Sequence, residues 1–327
     1  MKLLQLRYLV EIAKVGSISA AAERLCTSQS GVSKQIISLE QELGIALFNR
    51  KGRNLAGLTS GGLEILKLAE QVVGKAKDIR SVADELNNLP GALSIATTHT
   101  QARYILPYVV EKYLRVYPET ALHIQQGTPE QVAAMLAQGE VDIAIATESL
   151  ADHSQLVAMP CYRWNRCVIV NLDHPLVSDG RLTLDGLAKY PIITYVTGFT
   201  GRRKFDEAFA ERDLRPDIVL AAVDADVIKT YVRLGLGIGI IAEMAYHPEQ
   251  DKDLVALNAA ELFGSSISQL AVRRDAFIRK TISRFVQMFA PHLTEELIRE
   301  ASECADAKAR DILFERCAIP SYTLLRK

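Results

Sequence analysis

Between Thr59 and Pro90 the chain holds no proline, and apolar residues recur there with a helical period. Ile65, Val72, Ile79 and Leu86 stand seven apart. Leu68 and Val82 take the intervening positions, and Lys75 interrupts the seam. This spacing predicts one long helix with a coiled-coil-like stripe. Asn87, Asn88, Leu89 and Pro90 read as the hinge that ends it. A helix of this kind divides the chain into a small head, residues 1–59, a connector at 60–90, and a large body beyond.

Charge divides along the same line. The chain carries a net charge of -1, yet residues 1–60 hold +4 and the remainder holds -5. A basic head on an acidic body predicts a polyanionic partner for the head alone. With 49% hydrophobic residues a full core is available. No apolar run reaches the ~18 residues of a membrane span. The opening MKLLQLRYLVEIAKVG places Glu11 and Lys14 inside its apolar pattern, so it reads as an amphipathic helix and not as a signal peptide. Five scattered cysteines without a C-x-x-C predict a reduced, cytoplasmic setting and no zinc site.

Three helical patterns fill the head. Leu3, Leu6, Leu9, Val10 and Ala13 give the first an apolar stripe, which Gly16 ends. Ser19 is placed to cap a short second helix, Ala20 to Cys26, with Ala21, Ala22 and Leu25 inward. Thr27 and Ser28 open a third, with Val32, Ile36, Leu39 and Leu43 at helical spacing and Gly44 as its stop. Two short helices across a tight turn predict a helix-turn-helix. The outward face of the third carries Ser28, Gln29, Ser30, Ser33, Lys34 and Gln35, donors suited to phosphates and base edges, and Thr27 at its start joins them as a candidate DNA contact. Apolar segments on either side of Arg50, Lys51 and Arg53 predict a wing whose cations lie along a DNA backbone. A plain helical bundle with a solvated face shares this pattern.

The stretch AAERLCTSQSGVSKQIISLEQELGIALFNRKGR resembles the winged helix-turn-helix of the LysR-type transcriptional regulators. Many members have proline where this chain has Ser30, so base contacts at the start of that helix are not carried over. The resemblance implies that the connector is a dimer helix, since paired heads read paired half-sites.

In the body, strand and helix patterns alternate. Residues 92–97, 121–126, 141–147, 166–171, 191–196 and 217–223 read as strands, with helices at 102–116 and 129–138 between the first three. Residues 266–274 return as a strand, followed by an amphipathic helix. This predicts α/β units with mainly parallel strands. We read two lobes, lobe I at about 91–162 and 266–292 and lobe II at about 163–265, with a helical tail at 293–327. Ligands of such sheets sit beyond the carboxyl ends of the strands. Thr98, Thr100 and Gln101 lie at one such end and Thr147 at another, and Thr200 stands in a glycine-flanked turn before a helix. Hydroxyls and backbone N–H groups converging there could hold a small anion such as sulfate. Each threonine alone is as well explained as a helix cap.

The stretches IATTHTQARY, IATE, GFTGR and DADVIKTYVRLGLGIG are similar to the CysB and Cbl branch of the LysR family, which regulates cysteine biosynthesis and the use of sulfonates and sulfate esters. The resemblance extends to about Leu293. It implies a two-lobed effector domain like a periplasmic binding protein, with effector residues at Thr98, Thr100, Gln101, Thr147, Trp164 and Thr200. It implies an effector such as sulfate, an acetylated serine or adenosine phosphosulfate. It further implies promoter DNA, other copies of the chain in a dimer or tetramer, and RNA polymerase as partners, with no membrane.

Other signals are weaker. LGLGIG at 234–239 has the wrong spacing for a dinucleotide loop and reads as a helix end entering a buried strand. Asp224 and Asp226 read as caps. His99, by alternation, turns away from its threonine neighbours. The six histidines show no metal-ligand spacing, and no nucleophile–base pair stands out, so neither a cofactor nor an enzyme is expected. A regulator of the same family that senses a non-sulfur anion, or a solute-binding transport protein with the same body, stays open on these residues. The basic head argues against the latter.

Overall fold

The computed structural model describes residues 1–51, 54–87, 91–178, 181–199, 201–274, 276–304 and 306–326; for residues 50, 51, 54–56 and 326 it describes the backbone alone. The chain forms two compact units, Met1–Leu89 and Pro90–Lys327.

The first unit is α1 (Leu3–Val15), α2 (Ile18–Arg24), α3 (Gln29–Leu43), the strands β1 (Phe48–Lys51) and β2 (Asn54–Leu58), and α4 (Ser60–Leu86). Gly16 and Gly44 end α1 and α3 in the left-handed region, at φ 70° each, where glycine carries no Cβ penalty. Ser28 caps α3, its hydroxyl accepting the Gly31 N–H at 3.1 Å. The cap of α2 is Ser17, which accepts from Ala20, and not Ser19. Ile18 packs against the head core, so the helix begins two residues earlier than the cap pattern suggested. Leu9, Ala21, Val32, Ile36, Leu39 and Leu47 are fully buried between the helices. Strands β1 and β2 pair antiparallel, forming the expected hairpin.

Thr59 fixes the start of α4. Its hydroxyl accepts the Gly62 N–H at 2.8 Å and donates to the Ala46 carbonyl at 2.7 Å. A Cβ on Gly62 would lie 2.0 Å from the Leu47 carbonyl oxygen, so only glycine admits this crossing. Ile65, Leu66, Ala69 and Val73 pack into the head core. Ile65 therefore leaves the expected stripe. On another face Leu68, Val72, Ile79 and Leu86 stay between 46% and 78% exposed. The hinge residues Asn88, Leu89 and Pro90 lie outside the described residues.

The second unit holds two five-stranded sheets. Lobe I contains β3 (Ala92–Thr97), β4 (Ala121–Gln126), β5 (Ile143–Ala146), β6 (Leu156–Trp164) and, returning late, β12 (Ser266–Arg273), in the order β4-β3-β5-β12-β6. Lobe II contains β7 (Arg166–Asn171), β8 (Ile192–Tyr195), β9 (Ile218–Ala222), β10 (Ile238–Ala242) and β11 (Leu254–Asn258), in the order β11-β7-β10-β8-β9. The helices are α5 (His99–Tyr104), α6 (Leu106–Val116), α7 (Pro129–Ala137), α8 (Leu184–Leu187), α9 (Arg202–Ala210), α10 (Ala225–Arg233), α11 (Ala260–Phe263), α12 (Lys280–Phe289), α13 (Glu295–Glu303) and α14 (Ala307–Glu315).

In each sheet a single strand, β12 or β7, runs against the others, and both of its pairings are antiparallel. The edge strands β6 and β11 escaped the sequence pattern. Pro160 inside β6 removes a ladder donor, which is tolerated at an edge. The helix expected over 102–116 is broken at Ile105, because Pro107 belongs to the first turn of α6. The tail packs on lobe I: Ile298, Ala301, Phe314, Tyr322 and Leu325 join its core. The Pro320 carbonyl accepts the Arg163 N–H at 2.7 Å, which covers part of the open edge of β6. The chain passes between the lobes at Asn165 and again at Gly264–Ser265.

Candidate effector-binding site

One wall is built where β3 runs into α5. Thr97 is spent on the sheet, its hydroxyl donating to the Ile145 carbonyl at 3.0 Å. Thr98 occupies the N-cap position of α5 and is 4% exposed, yet its side chain makes no capping bond. The Thr100 hydroxyl hydrogen-bonds the Tyr195 phenol of lobe II. Gln101 is engaged at both ends: its Nε2 donates to Ser268 Oγ at 2.9 Å and its Oε1 accepts from Tyr162. His99 turns its Nδ1 to Gln126 Oε1, 3.0 Å away.

The second wall holds a charge that no pattern of neutral donors announced. Trp164 ends β6 and Arg166 begins β7. The Arg166 guanidinium lies 5.0 Å from the Trp164 ring centroid, a cation–π stack. Its Nη2 donates to the Gly201 carbonyl at 2.7 Å and to Ser266 Oγ at 3.1 Å. Ser266 and Ser268 pair in register with Trp164 and Tyr162, so residues of one sheet face connect Gln101 with Arg166. Burial lowers the Arg166 pKa to about 10, which leaves it protonated at neutral pH. Among the described residues, Trp164 Nε1 and Arg166 Nη1 are both buried without a hydrogen-bond partner. A buried donor left unmade costs about 1–3 kcal/mol, more when it is charged. Two such donors call for an acceptor that the described residues do not supply.

Arg166 was legible only as the first residue of the strand RCVIVN. The available signal was a cation at the head of an apolar strand buried to 3% exposure, since arginine is rarely buried without a partner.

Thr147 follows β5 and, with Glu148, Gly198, Phe199, Arg202 and Gln269, lines a cleft of 380 Å³. Thr200 lies outside the described residues. Its neighbour Gly201 caps α9 at φ 70°. Burial raises the pKa of Glu148, opposed by the Gly201 N–H that its carboxylate accepts and by the field of Arg166.

Asp224 caps α10, accepting the Val227 N–H at 2.8 Å. Asp226 lies inside the first turn of α10 and is not its cap. It accepts from Arg103 Nε at 3.0 Å and from the Tyr104 hydroxyl at 2.8 Å, which joins α5 to α10 across the lobes. His99, Asp224 and Asp226 present ligand-type atoms within 4.8 Å of one another, a grouping invisible in the sequence. Arg103 and Lys229 already pair with Asp226, so the cluster has its countercharge without a metal.

In the first unit, Thr27, Ser28, Gln29, Ser30 and Lys34 are exposed around the start of α3, and Ser33 is half-buried. Ser28 Oγ also lies 3.4 Å from Ser30 Oγ. Arg50 and Lys51 sit in β1, where their backbones pair with Leu55 and Asn54; Arg53 and the side chains of Arg50 and Lys51 lie outside the described residues.

Comparison with known proteins matches both units. Residues 3–63 match the bacterial regulatory helix-turn-helix protein, lysR family, and residues 87–294 match the LysR substrate binding domain. The chain is 46% identical over 317 residues to the HTH-type transcriptional regulator CysB of Haemophilus influenzae, covering 96% of this chain and 98% of that protein. It is 46% identical over 303 residues to the HTH-type transcriptional regulator SsuR of Burkholderia cenocepacia, covering 91% and 98%. The crystal structure of the cofactor-binding domain of the Cbl transcriptional regulator superposes with a TM-score of 0.64 at 44% identity, covering 66% of this chain and 95% of that one. With both of its units matched, this chain belongs to the LysR family of bacterial transcriptional regulators.

Proposed function

We propose that this DNA-binding transcriptional regulator controls sulfur-assimilation genes in the cytoplasm by sensing sulfate or a small sulfur-pathway metabolite between its lobes. The observation that carries the reading is the pair of buried donors without a partner among the described residues, Trp164 Nε1 at the end of β6 and Arg166 Nη1 at the start of β7. An anion with several acceptor oxygens satisfies both, and Thr98, Thr100 and Thr200 add neutral donors. The 380 Å³ cleft lined by Thr147, Glu148, Gly198, Phe199 and Arg202 exceeds what a bare sulfate fills and falls in the range of metabolite pockets. It suits an anionic head with a short organic body, such as an acetylated serine or a sulfonate. The identity to CysB, SsuR and Cbl regulators supports the sulfur class.

The exposed apolar face of α4 supports pairing of two copies, which sets two α3 helices on successive major grooves, with the cations of the wing on phosphates. Thr27, Ser28, Gln29, Ser30, Ser33, Lys34, Arg50, Lys51 and Arg53 form the DNA face in this reading. Effector binding acts by favouring one arrangement of the lobes, and shifts the balance only as far as its affinities for the two states differ. A tetramer and contact with RNA polymerase complete the proposal. The test is a thermal-shift screen of the full chain against sulfate, sulfonates, acetylated serines, thiosulfate and adenosine phosphosulfate. A true effector raises the melting temperature, and Thr100→Val abolishes the rise while DNA binding persists. An unchanged rise in Thr100→Val removes Thr100 from the site.

A further inference from the structure

Glu148 follows β5 in lobe I, and Gly201 precedes α9 in lobe II. The Glu148 carboxylate accepts the Gly201 N–H, and the Gly201 carbonyl accepts from Arg166 Nη2 at 2.7 Å. One lobe II residue is therefore held from both sides by opposite charges. Only glycine fits there: φ is 70°, and an added Cβ would lie 1.6 Å from Arg166 Nη2.

Two atoms of this arrangement are left over. Glu148 Oε2 and Arg166 Nη1 are both buried, and neither has a hydrogen-bond partner among the described residues. Each charge feels the other. A purely structural ion pair would join these two atoms, because a buried charge is tolerable only when paired and hydrogen-bonded. Here the pair neutralises without bonding. Other charges also act on Glu148: Arg203 draws it and Glu130 repels it.

The consequence for an incoming anion is direct. At Arg166 Nη1 it finds a donor and a positive charge, and it also finds the negative charge of Glu148. Both cannot keep the same countercharge in a buried site. We propose that Glu148 is an internal competitor of the effector: its carboxylate supplies the countercharge of Arg166 in the empty site, and the anionic group of the effector displaces it. Displacement frees the Gly201 N–H, which becomes a further donor to the anion, and removes one link between the lobes. The inference rests on the anion-site reading above and names the group that the effector must move.

The test uses the full chain and inorganic sulfate as the probe, by isothermal titration calorimetry. Glu148→Gln preserves the shape and the acceptor for Gly201 while removing the charge, and Glu148→Ala removes the side chain should the amide disturb folding. Both variants are expected to bind sulfate roughly tenfold more tightly than the wild type, because a neighbouring like charge opposes the anion. Arg166→Met is expected to lose binding. If the wild type binds sulfate and both Glu148 variants bind it equally or more weakly, Glu148 is no competitor, while the anion site stands. If neither the wild type nor either Glu148 variant binds sulfate, the competitor and the sulfate site fall together.

Discussion

The two units treat their polar residues in opposite ways. In the head the core is apolar, and the hydroxyls and amides of α3 are exposed: Ser28, Gln29 and Ser30 all face solvent. In the body, Thr98, Thr100, Gln101 and Arg166 are all at most 4% exposed. An exposed donor is satisfied by water and gives up little when it meets a phosphate. A buried donor is either paired inside the protein or waits for a ligand. The head is built to read a large surface, and the body to enclose something small. Changes in the head should therefore act gently and uniformly, and changes in the cleft should act sharply.

The largest effect is expected at Gly201. Gly201→Ala forces a Cβ onto Arg166 at a left-handed backbone position, and should cost the body about 2–4 kcal/mol. Trp164 is the only tryptophan, so its fluorescence follows the body alone in a denaturant titration. Next is Trp164→Phe, which keeps an aromatic ring and removes Nε1–H. A hydrogen bond to a charged group contributes about 1.5–3 kcal/mol, so effector affinity should fall by ten- to a hundredfold in calorimetry. A smaller loss would mean that the indole is packing only.

In the head, Ser28→Ala removes the cap of α3 and should lower its stability by about 1 kcal/mol, read by circular dichroism on heating. Lys34→Gln should weaken binding to any duplex by a similar factor and reduce the salt dependence of log K by about 0.9. A loss confined to one sequence would make Lys34 a base reader instead. The smallest effect concerns pH. Burial raises the pKa of Glu148 above its ordinary 4.5, so its contribution to stability is fully present below that value and is lost as pH rises through the raised one. Glu148→Gln should therefore be the more stable protein at neutral pH, with the gap closing as the solution is acidified toward 4.5. A gap independent of pH would exclude a titrating carboxylate as its cause.

What the sequence disclosed follows the same division. Periodicity exposed the helices of the head, because Val32, Ile36 and Leu39 bury one face and nothing else competes for it. The buried neutral donors at the start of α5 were legible too, since Thr98, Thr100 and Gln101 are neighbours in the chain. The charged wall was hidden for a topological reason. Arg166 and Glu148 come from different lobes and feel each other only because the chain crosses at Asn165 and brings Arg166 onto Gly201. Asp226 looked like a cap because its partners Arg103 and Tyr104 lie far away in sequence. Local spacing reports what one element needs, and it is silent on charges that meet across two.

The most direct test of the central claim is a crystal of the full chain soaked in selenate, a tetrahedral anion with an anomalous signal. The account predicts an anomalous peak whose oxygens lie about 3 Å from Trp164 Nε1 and Arg166 Nη1. A well-diffracting soak with no peak between those two donors, or with its peaks only on the surface, would contradict it.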